Sequence, residues 1–165
     1  MATANEFVDG ATIIWKNHSI YLWGGNGEYT KELRIKQIYS QEQSMHDAAR
    51  VLRHIAELLD NGYDLSKSRA VDCSGLAIAI LRDLKCIKAT EDYRARDLQA
   101  MCKKIKLDKL KAGNCVFNKE SGATHMGIYV GYDMVIEAQG RDVGVVKRKL
   151  DQGNWVIGGR LPYFS

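Results

Sequence analysis

A cysteine near the middle of the chain has surroundings that could turn it into a nucleophile. Cys73 stands in the run Asp72-Cys73-Ser74-Gly75-Leu76, which is followed by the apolar residues 77–81. This pattern predicts a cysteine in the first turn of a buried helix. Unpaired N–H groups and the macrodipole of a helix N-terminus favour the thiolate, and can lower a cysteine pKa from about 8.5 to roughly 3.5–7.5. A small buried cysteine that only fills a helix–sheet contact explains this segment equally well, so a partner base must decide.

The candidate base is His125, at the start of a strand pattern over 126–130. A second apolar run over 134–138 predicts a hairpin with it. If the loop is 131–133, His125 lies near Gln139 and diagonal to Glu137, with all three on one face of the sheet. If the loop is one residue longer or shorter, the strand pairing shifts by one residue. The candidate side chains opposite His125 then point to the other face of the sheet, because side chains alternate along a strand. Spacing therefore leaves Glu137 and Gln139 both open as the third group.

A thiolate, an imidazole and a polar orienting group fit one class of reaction. Cys73 would attack a carbonyl, and His125 would remove its proton and later donate one to the leaving amine. The third group would hold the other ring nitrogen. The oxyanion needs donors as well, for which the backbone N–H of Cys73 and a phenol such as that of Tyr21 are candidates.

Periodicity supplies the elements that must position these residues. Apolar residues at three- and four-residue steps predict a helix over 42–61 that ends at Gly62, a second over 73–84, and a weaker one over 91–103 with Thr90 as its cap. Alternating or continuous apolar runs predict strands over 115–117, 126–130, 134–138, 143–146 and 155–161. Helices followed by strands indicate an α+β fold, with N-terminal helices packed on a C-terminal antiparallel sheet of about five to six strands.

Composition excludes several classes of protein. The chain has 165 residues, of which 45% are hydrophobic, and a single proline. We therefore expect one domain over 1–165. The four cysteines show no metal-ligand or redox spacing, so we predict no metal and no cofactor. A net charge of +4 without a basic stripe predicts no nucleic-acid partner. The first 14 residues resemble neither a signal peptide nor a membrane span, so we expect synthesis in the cytoplasm and no stable membrane insertion.

Three motifs resemble the NlpC-type cysteine peptidases, papain-like enzymes that cleave peptide bonds in cell-wall peptidoglycan. They are the Cys73 motif, the strand His125-Met126-Gly127-Ile128-Tyr129-Val130-Gly131, and Ile136-Glu137-Ala138, which closes the hairpin. The turn Tyr21-Leu22-Trp23-Gly24-Gly25 is similar to the family's tyrosine-containing turn ahead of the nucleophile. The resemblance implies a papain-like fold, with a helical portion over about 1–105 and a sheet over about 113–163.

Two features depart from the family pattern. The connection over about 28–70 is enlarged and helical, and resembles forms found in phage lysins and phage-tail proteins; it could shape the cleft or support the fold. At the third catalytic position the family most often has histidine or a neutral amide, whereas this chain has Glu137. A carboxylate can still accept a hydrogen bond from imidazole and should favour the imidazolium. Gln139 remains the fallback orienter.

The resemblance implies a peptidase that cuts an amide in the peptidoglycan stem peptide or cross-bridge through Cys73, His125 and Glu137. Tyr21, Asp72 and Ser74 are the candidate oxyanion or substrate contacts. Three alternatives stay open: an N-acetylmuramoyl-L-alanine amidase with the same triad, a catalytically silent wall-binding or phage-assembly module, and an intracellular acyltransferase. Peptidoglycan is the expected partner, reached after delivery by phage or lysis machinery, and a protein delivery partner is possible.

Overall fold

A buried helix, α4 (Cys73–Asp83), occupies the centre of the fold. The structure is a computed structural model that describes residues 1–165. All eight residues from Ser74 to Leu81 are buried in α4, as expected for a helix that is apolar on all sides. Asp72 is its N-cap, because its side chain accepts a hydrogen bond from the backbone N–H of Gly75. The predicted helix over 73–84 therefore forms and begins at the cysteine.

The main sheet has six strands and packs against α4. Its strands are β4 (Lys103–Ile105), β5 (Cys115–Phe117), β6 (Met126–Gly131), β7 (Met134–Gly140), β8 (Gly144–Lys149) and β9 (Ile157–Arg160). The order is β4-β9-β5-β6-β7-β8, and every neighbouring pair is antiparallel. The predicted α+β architecture and the strand count are thereby confirmed. The sheet also takes in 103–105, ahead of the expected start at 113.

A second, three-stranded sheet was not predicted. It consists of β1 (Ile20–Tyr21), β2 (Asn26–Tyr29) and β3 (Arg69–Val71) in the order β1-β3-β2. Strands of two to four residues are too short to show a period of two in the sequence. The sheet matters for the site, because the parallel pairing of Tyr21 with Val71 brings the tyrosine beside the start of α4.

Four further helices surround this frame: α1 (Ala4–Lys16), α2 (Ile35–Gln41), α3 (Met45–Asp60) and α5 (Ala95–Met101). Helix α3 is the one predicted over 42–61, with Ser44 as its N-cap. The helix predicted over 91–103 is wrong at both ends. Glu91 instead closes a turn, accepting from the Lys88 N–H and the Tyr93 hydroxyl, so the helix begins only after Arg94. The bounds of α1 and α2 were not predicted, although both helices lie within the portion expected to be helical, over about 1–105. None of the helices is long and apolar enough to cross a bilayer.

Two apolar clusters hold the elements together. The larger one lies between α1, α4 and the inner face of the main sheet, and includes Phe7, Leu76, Phe117 and Met126, all fully buried. The smaller one joins the connection over 28–70 to the small sheet, through Ile20, Leu22, Ile38, Ala48, Val51 and Ala70. The enlarged connection thus has a core of its own.

Candidate active site

The start of α4 is held against the glycine-rich turn that follows β1. One carboxylate oxygen of Asp72 accepts from the Gly75 N–H at 2.7 Å, and the other accepts from the Gly24 N–H at 2.9 Å. A Cβ at position 75 would collide with the Gly25 carbonyl oxygen, so only glycine allows this approach. Burial raises the pKa of the Asp72 carboxyl, whereas the hydrogen bonds from Gly75 and Gly24 lower it. The prediction of an N-terminal helix position for Cys73 is confirmed, and Asp72 serves to cap and anchor it.

His125 lies near Cys73 and contacts a fully buried carboxylate. Its Nε2 is 3.1 Å from Oε1 of Glu137, whose side chain is 0% exposed. Cys73 lines the same cleft as His125 and lies close enough to it to raise the pKa of the imidazole. Cys73 is half-buried, and its Sγ is 3.8 Å from the carbonyl oxygen of Thr124. The structure therefore brings together the three side chains that the sequence analysis selected.

The charge of Glu137 is compensated by an arginine. Arg148 forms a bidentate ion pair with it, from Nε to Oε2 at 3.0 Å and from Nη2 to Oε1 at 3.1 Å. A third guanidinium nitrogen, Nη1, donates to the carbonyl of Gln152. Paired and hydrogen-bonded in this way, a buried carboxylate is tolerated in an apolar sheet.

These contacts shift the acid–base properties of both partners. Burial lowers the pKa of His125, but the neighbouring Cys73 and the hydrogen bond with Glu137 outweigh it and raise the pKa to about 9. Burial raises the pKa of Glu137, and here too it is outweighed, by the hydrogen bonds from His125 and Arg148, so that the pKa falls below its usual value. At neutral pH the pair is therefore an imidazolium beside a carboxylate.

Gln139, the alternative orienter, occupies a different position. The predicted loop over 131–133 is one residue too long, because Gly131 pairs with Met134. A register shift between Tyr129 and Gly131 still leaves Ile128 opposite Ile136 and Tyr129 opposite Val135, and this register, when continued, puts His125 level with Gln139. Nevertheless Gln139 is exposed and lines the cleft, whereas Glu137 is buried and makes the contact with the imidazole.

Tyr21 and Ser74 complete the surroundings of the cysteine. Tyr21 is 9% exposed and lines the cleft, and the Arg141 guanidinium lies 5.3 Å from the centroid of its ring. Burial, together with the negative charge of nearby Cys73 and Asp72, raises the pKa of the phenol. Tyr21 thus keeps its proton at neutral pH and can donate it in a hydrogen bond. Ser74 is buried and its hydroxyl is 3.3 Å from Asp72.

Two contacts of the site were not predicted from the sequence. Trp155 stacks on the imidazole, with ring centroids 5.3 Å apart and planes 15° from parallel, and it was assigned only to a strand. A Cβ at Gly127 would meet this indole, so the glycine leaves room for it. Arg148 could have been found from the hairpin of β7 and β8, because its partner Val135 lies on the same face as Glu137. That inference required a register which the sequence does not reveal.

The site opens into a cleft of about 430 Å³. Cys73, His125, Tyr21 and Gln139 all contribute to its lining. No residue of the 28–70 connection does so, which favours a supporting role for that segment. No group of three or more histidine, cysteine, aspartate or glutamate side chains is arranged to hold a metal ion.

The sequence model of the NlpC/P60 family matches residues 60–157, more than half of the chain. The chain belongs to the NlpC/P60 family. The match takes in Cys73, His125 and Glu137. No curated protein sequence matches the chain.

Solved structures share the fold of this NlpC/P60 protein. The NlpC/p60 domain of the peptidoglycan hydrolase SagA is 17% identical with a TM-score of 0.59, the match covering 97% of this chain and 100% of that one. The P60 domain of an antigen from M. avium subspecies paratuberculosis is 15% identical with a TM-score of 0.59, covering 98% of each chain. The peptidoglycan hydrolase RipB from Mycobacterium tuberculosis is 15% identical with a TM-score of 0.60, covering 96% of this chain and 66% of that one. At these identities the likeness establishes the NlpC/P60 fold.

Proposed function

We propose that the chain is a cysteine peptidase that hydrolyses an amide bond in the peptide of bacterial peptidoglycan. The observation that carries this proposal is the position of one imidazole, His125, which binds the buried Glu137 and shares the lining of an open cleft with Cys73. Family membership supports a hydrolase, and the SagA and RipB structures, both described as peptidoglycan hydrolases, support the substrate.

The reaction would proceed through an acyl-enzyme. The Cys73 thiolate attacks the carbonyl carbon, forming a C–S bond and moving the carbonyl electrons onto oxygen. When the oxyanion collapses, the C–N bond breaks and the His125 imidazolium donates its proton to the leaving amine. The neutral imidazole then takes a proton from water, whose oxygen attacks the thioester and releases the carboxylic acid and the thiolate. A pKa of about 9 means that His125 holds the proton it must donate at neutral pH.

The oxyanion would be held by two donors. The first is the backbone N–H of Cys73, which lies in the first turn of α4, where the N–H groups lack helical partners. The second is the Tyr21 phenol, which lines the same cleft and stays protonated. Asp72 is already committed to Gly24 and Gly75, so its role here is to hold the turn and the helix together.

The decisive experiment is digestion of purified peptidoglycan by the wild-type protein and by Cys73→Ala, with products identified by mass spectrometry. We expect new peptide termini with the wild type, and a loss of at least about 10³-fold with Cys73→Ala at unchanged thermal unfolding. Cys86→Ala, a thiol outside the cleft, is the matched control. Undiminished digestion by Cys73→Ala would exclude the mechanism. Release of whole stem peptides from glycan would identify an amidase, and binding without any cleavage would identify a silent module.

Comparison of Glu137→Ala with Gln139→Ala tests which residue orients the imidazole. We expect the larger loss of kcat for Glu137→Ala, because Glu137 makes the only hydrogen bond to Nε2. The reverse ranking would transfer the role to Gln139.

Delivery by phage or lysis machinery stays a prediction. The purified protein is added to intact cells and, separately, to isolated walls. Clearing of intact cells measures access to the wall from outside, and clearing of isolated walls measures the intrinsic activity. Clearing of isolated walls alone is the result expected for an enzyme that relies on delivery.

A further inference from the structure

Two arginines line the candidate cleft without a carboxylate partner. Arg94 and Arg96 are exposed, and neither takes part in a salt bridge. Most of the other arginines are engaged by protein acceptors: Arg50, Arg69, Arg141 and Arg148 each bind a carboxylate, and Arg82 binds a carbonyl. The two cleft guanidinium groups are therefore free to bind a ligand.

Little negative charge in the cleft opposes them. Asp72 is the one acidic residue in its lining, and its carboxylate already accepts hydrogen bonds from Gly24 and Gly75. Glu137 lies behind the imidazole and is paired with Arg148. The charges of the His125 imidazolium and the Cys73 thiolate offset each other, so the positive charge that an entering ligand meets is that of Arg94 and Arg96.

The arginines are also held at a defined position relative to His125. They flank Ala95, which is buried and lines the cleft between them. Helix α5, which begins there, is fastened to the segment leading to His125 by Gln99. Its amide nitrogen donates to the Lys119 carbonyl at 2.7 Å, and its amide oxygen accepts from the Ala123 N–H at 2.9 Å. The spacing between the arginines and the reacting groups is thus set by the fold.

We infer that Arg94 and Arg96 form a carboxylate-binding subsite, so that the preferred substrate carries a free carboxylate close to the scissile amide. This inference rests on the proposed function and specifies its substrate. A guanidinium offers two parallel N–H donors that match a carboxylate, and this geometry is lost with a neutral carboxamide. Peptides amidated at that carboxyl group should be poor substrates.

The test uses soluble stem peptides in two forms. The two forms are identical except that the free carboxylate close to the scissile amide is replaced by a carboxamide in one of them. We expect wild-type kcat/KM to favour the carboxylate form by about 10- to 100-fold, the range for a charge-assisted hydrogen bond. Arg94→Gln and Arg96→Gln should each reduce this ratio, mainly through KM. Arg34→Gln, an exposed arginine that does not line the cleft, is the control and should leave the ratio unchanged.

The outcomes separate the subsite from the catalytic proposal. Equal hydrolysis of both peptides, or a preference that survives both substitutions, would overturn the subsite and leave the peptidase intact. Hydrolysis of neither peptide would count against the proposed function. In that case calorimetric binding of the two peptides to Cys73→Ala still decides the subsite, because equal affinities would exclude it. Thermal unfolding of each variant checks that the fold is retained.

Discussion

At the scale of single residues, the imidazole of His125 depends on the sulfur beside it. Cys73 is the first of the neighbours that raise the pKa of His125 against the lowering effect of burial. We predict that Cys73→Ala lowers the pKa of His125 well below about 9. An NMR titration of the imidazole resonances measures this directly, with Cys86→Ala as the control. An unchanged His125 pKa in Cys73→Ala would show that Glu137 alone sets it.

Arg148 allows the buried Glu137 to stay charged and to orient the imidazole of His125. Its guanidinium compensates a side chain that is fully buried, and removal of one partner of such a pair costs about 3–5 kcal/mol. We predict this loss for Arg148→Met in chemical denaturation. The pKa of Glu137 should rise, because both of its hydrogen bonds from Arg148 are gone, so the acidic limb of the activity profile should move to higher pH.

The double variant Glu137→Gln with Arg148→Met provides the internal check. A neutral amide needs no guanidinium, so the double variant should be more stable than Arg148→Met alone. Lys149→Met, at the exposed neighbouring position, is the matched control and should change stability little. If the double variant were the less stable one, the role of Arg148 would be packing and not charge compensation.

At the scale of elements, the enlarged connection holds a turn of the main sheet in place. Glu42, which follows α2 and has a fully buried side chain, binds Arg141 in the turn between β7 and β8, from Nε to Oε2 at 2.6 Å. Arg50 of α3 binds Asp142 in the same turn at 2.9 Å. Since Arg141 also lies over the Tyr21 ring, the connection reaches the site indirectly.

Breaking this link should affect both stability and turnover. We predict that Glu42→Ala lowers the free energy of unfolding by about 3 kcal/mol, because the mostly buried Arg141 guanidinium loses its close partner and keeps only Asp47, at 3.9 Å. Turnover should fall as well, since Tyr21 loses its fixed neighbour. Denaturation and peptidoglycan digestion measure the two effects. Glu57→Ala, exposed on α3, is the control, and equal stability of the two variants would contradict the prediction.

At the scale of the whole molecule, the buried charges make stability depend on pH. His125 has a folded pKa of about 9 against roughly 6.5 when unfolded, so its contribution is complete below about pH 6.5 and is lost as the pH rises through 9. The Glu137 pKa is lowered, so its contribution is present above about pH 4.5 and is lost as the pH falls. The site therefore stabilises the fold most in weakly acidic solution.

We predict that the free energy of unfolding falls by about 1–2 kcal/mol more in the wild type than in Glu137→Gln between pH 6.5 and 10, because the effect of Cys73 on the His125 pKa remains in the variant. The amide cannot favour the imidazolium as a carboxylate does, so the His125 pKa of the variant should start lower. Denaturant titrations at several pH values measure the difference. Parallel curves for the two proteins would show that the charge on residue 137 does not govern the titration of His125.

Local patterns in the sequence were enough to predict several parts of this protein. An aspartate capping position and an apolar run determine that a helix begins at Cys73, because the cap involves residues only three apart. Alternating apolar residues determine the strands around His125 and Glu137, and the α+β layout follows from the order of the elements. Each of these signals is contained within one element, so it needs no knowledge of what packs against it.

Other features were decided only by the tertiary structure. Arg148 with Glu137, Arg141 with Glu42, and the alignment of Tyr21 beside Val71 join residues 11, 99 and 50 positions apart in the chain. No periodicity encodes such pairs. The choice of Glu137 over Gln139 depends on which of two side chains is buried, and that depends on the sheet that surrounds them. Likewise, Arg82 of α4 donates to the Glu91 carbonyl and so holds the segment ahead of α5 from another helix.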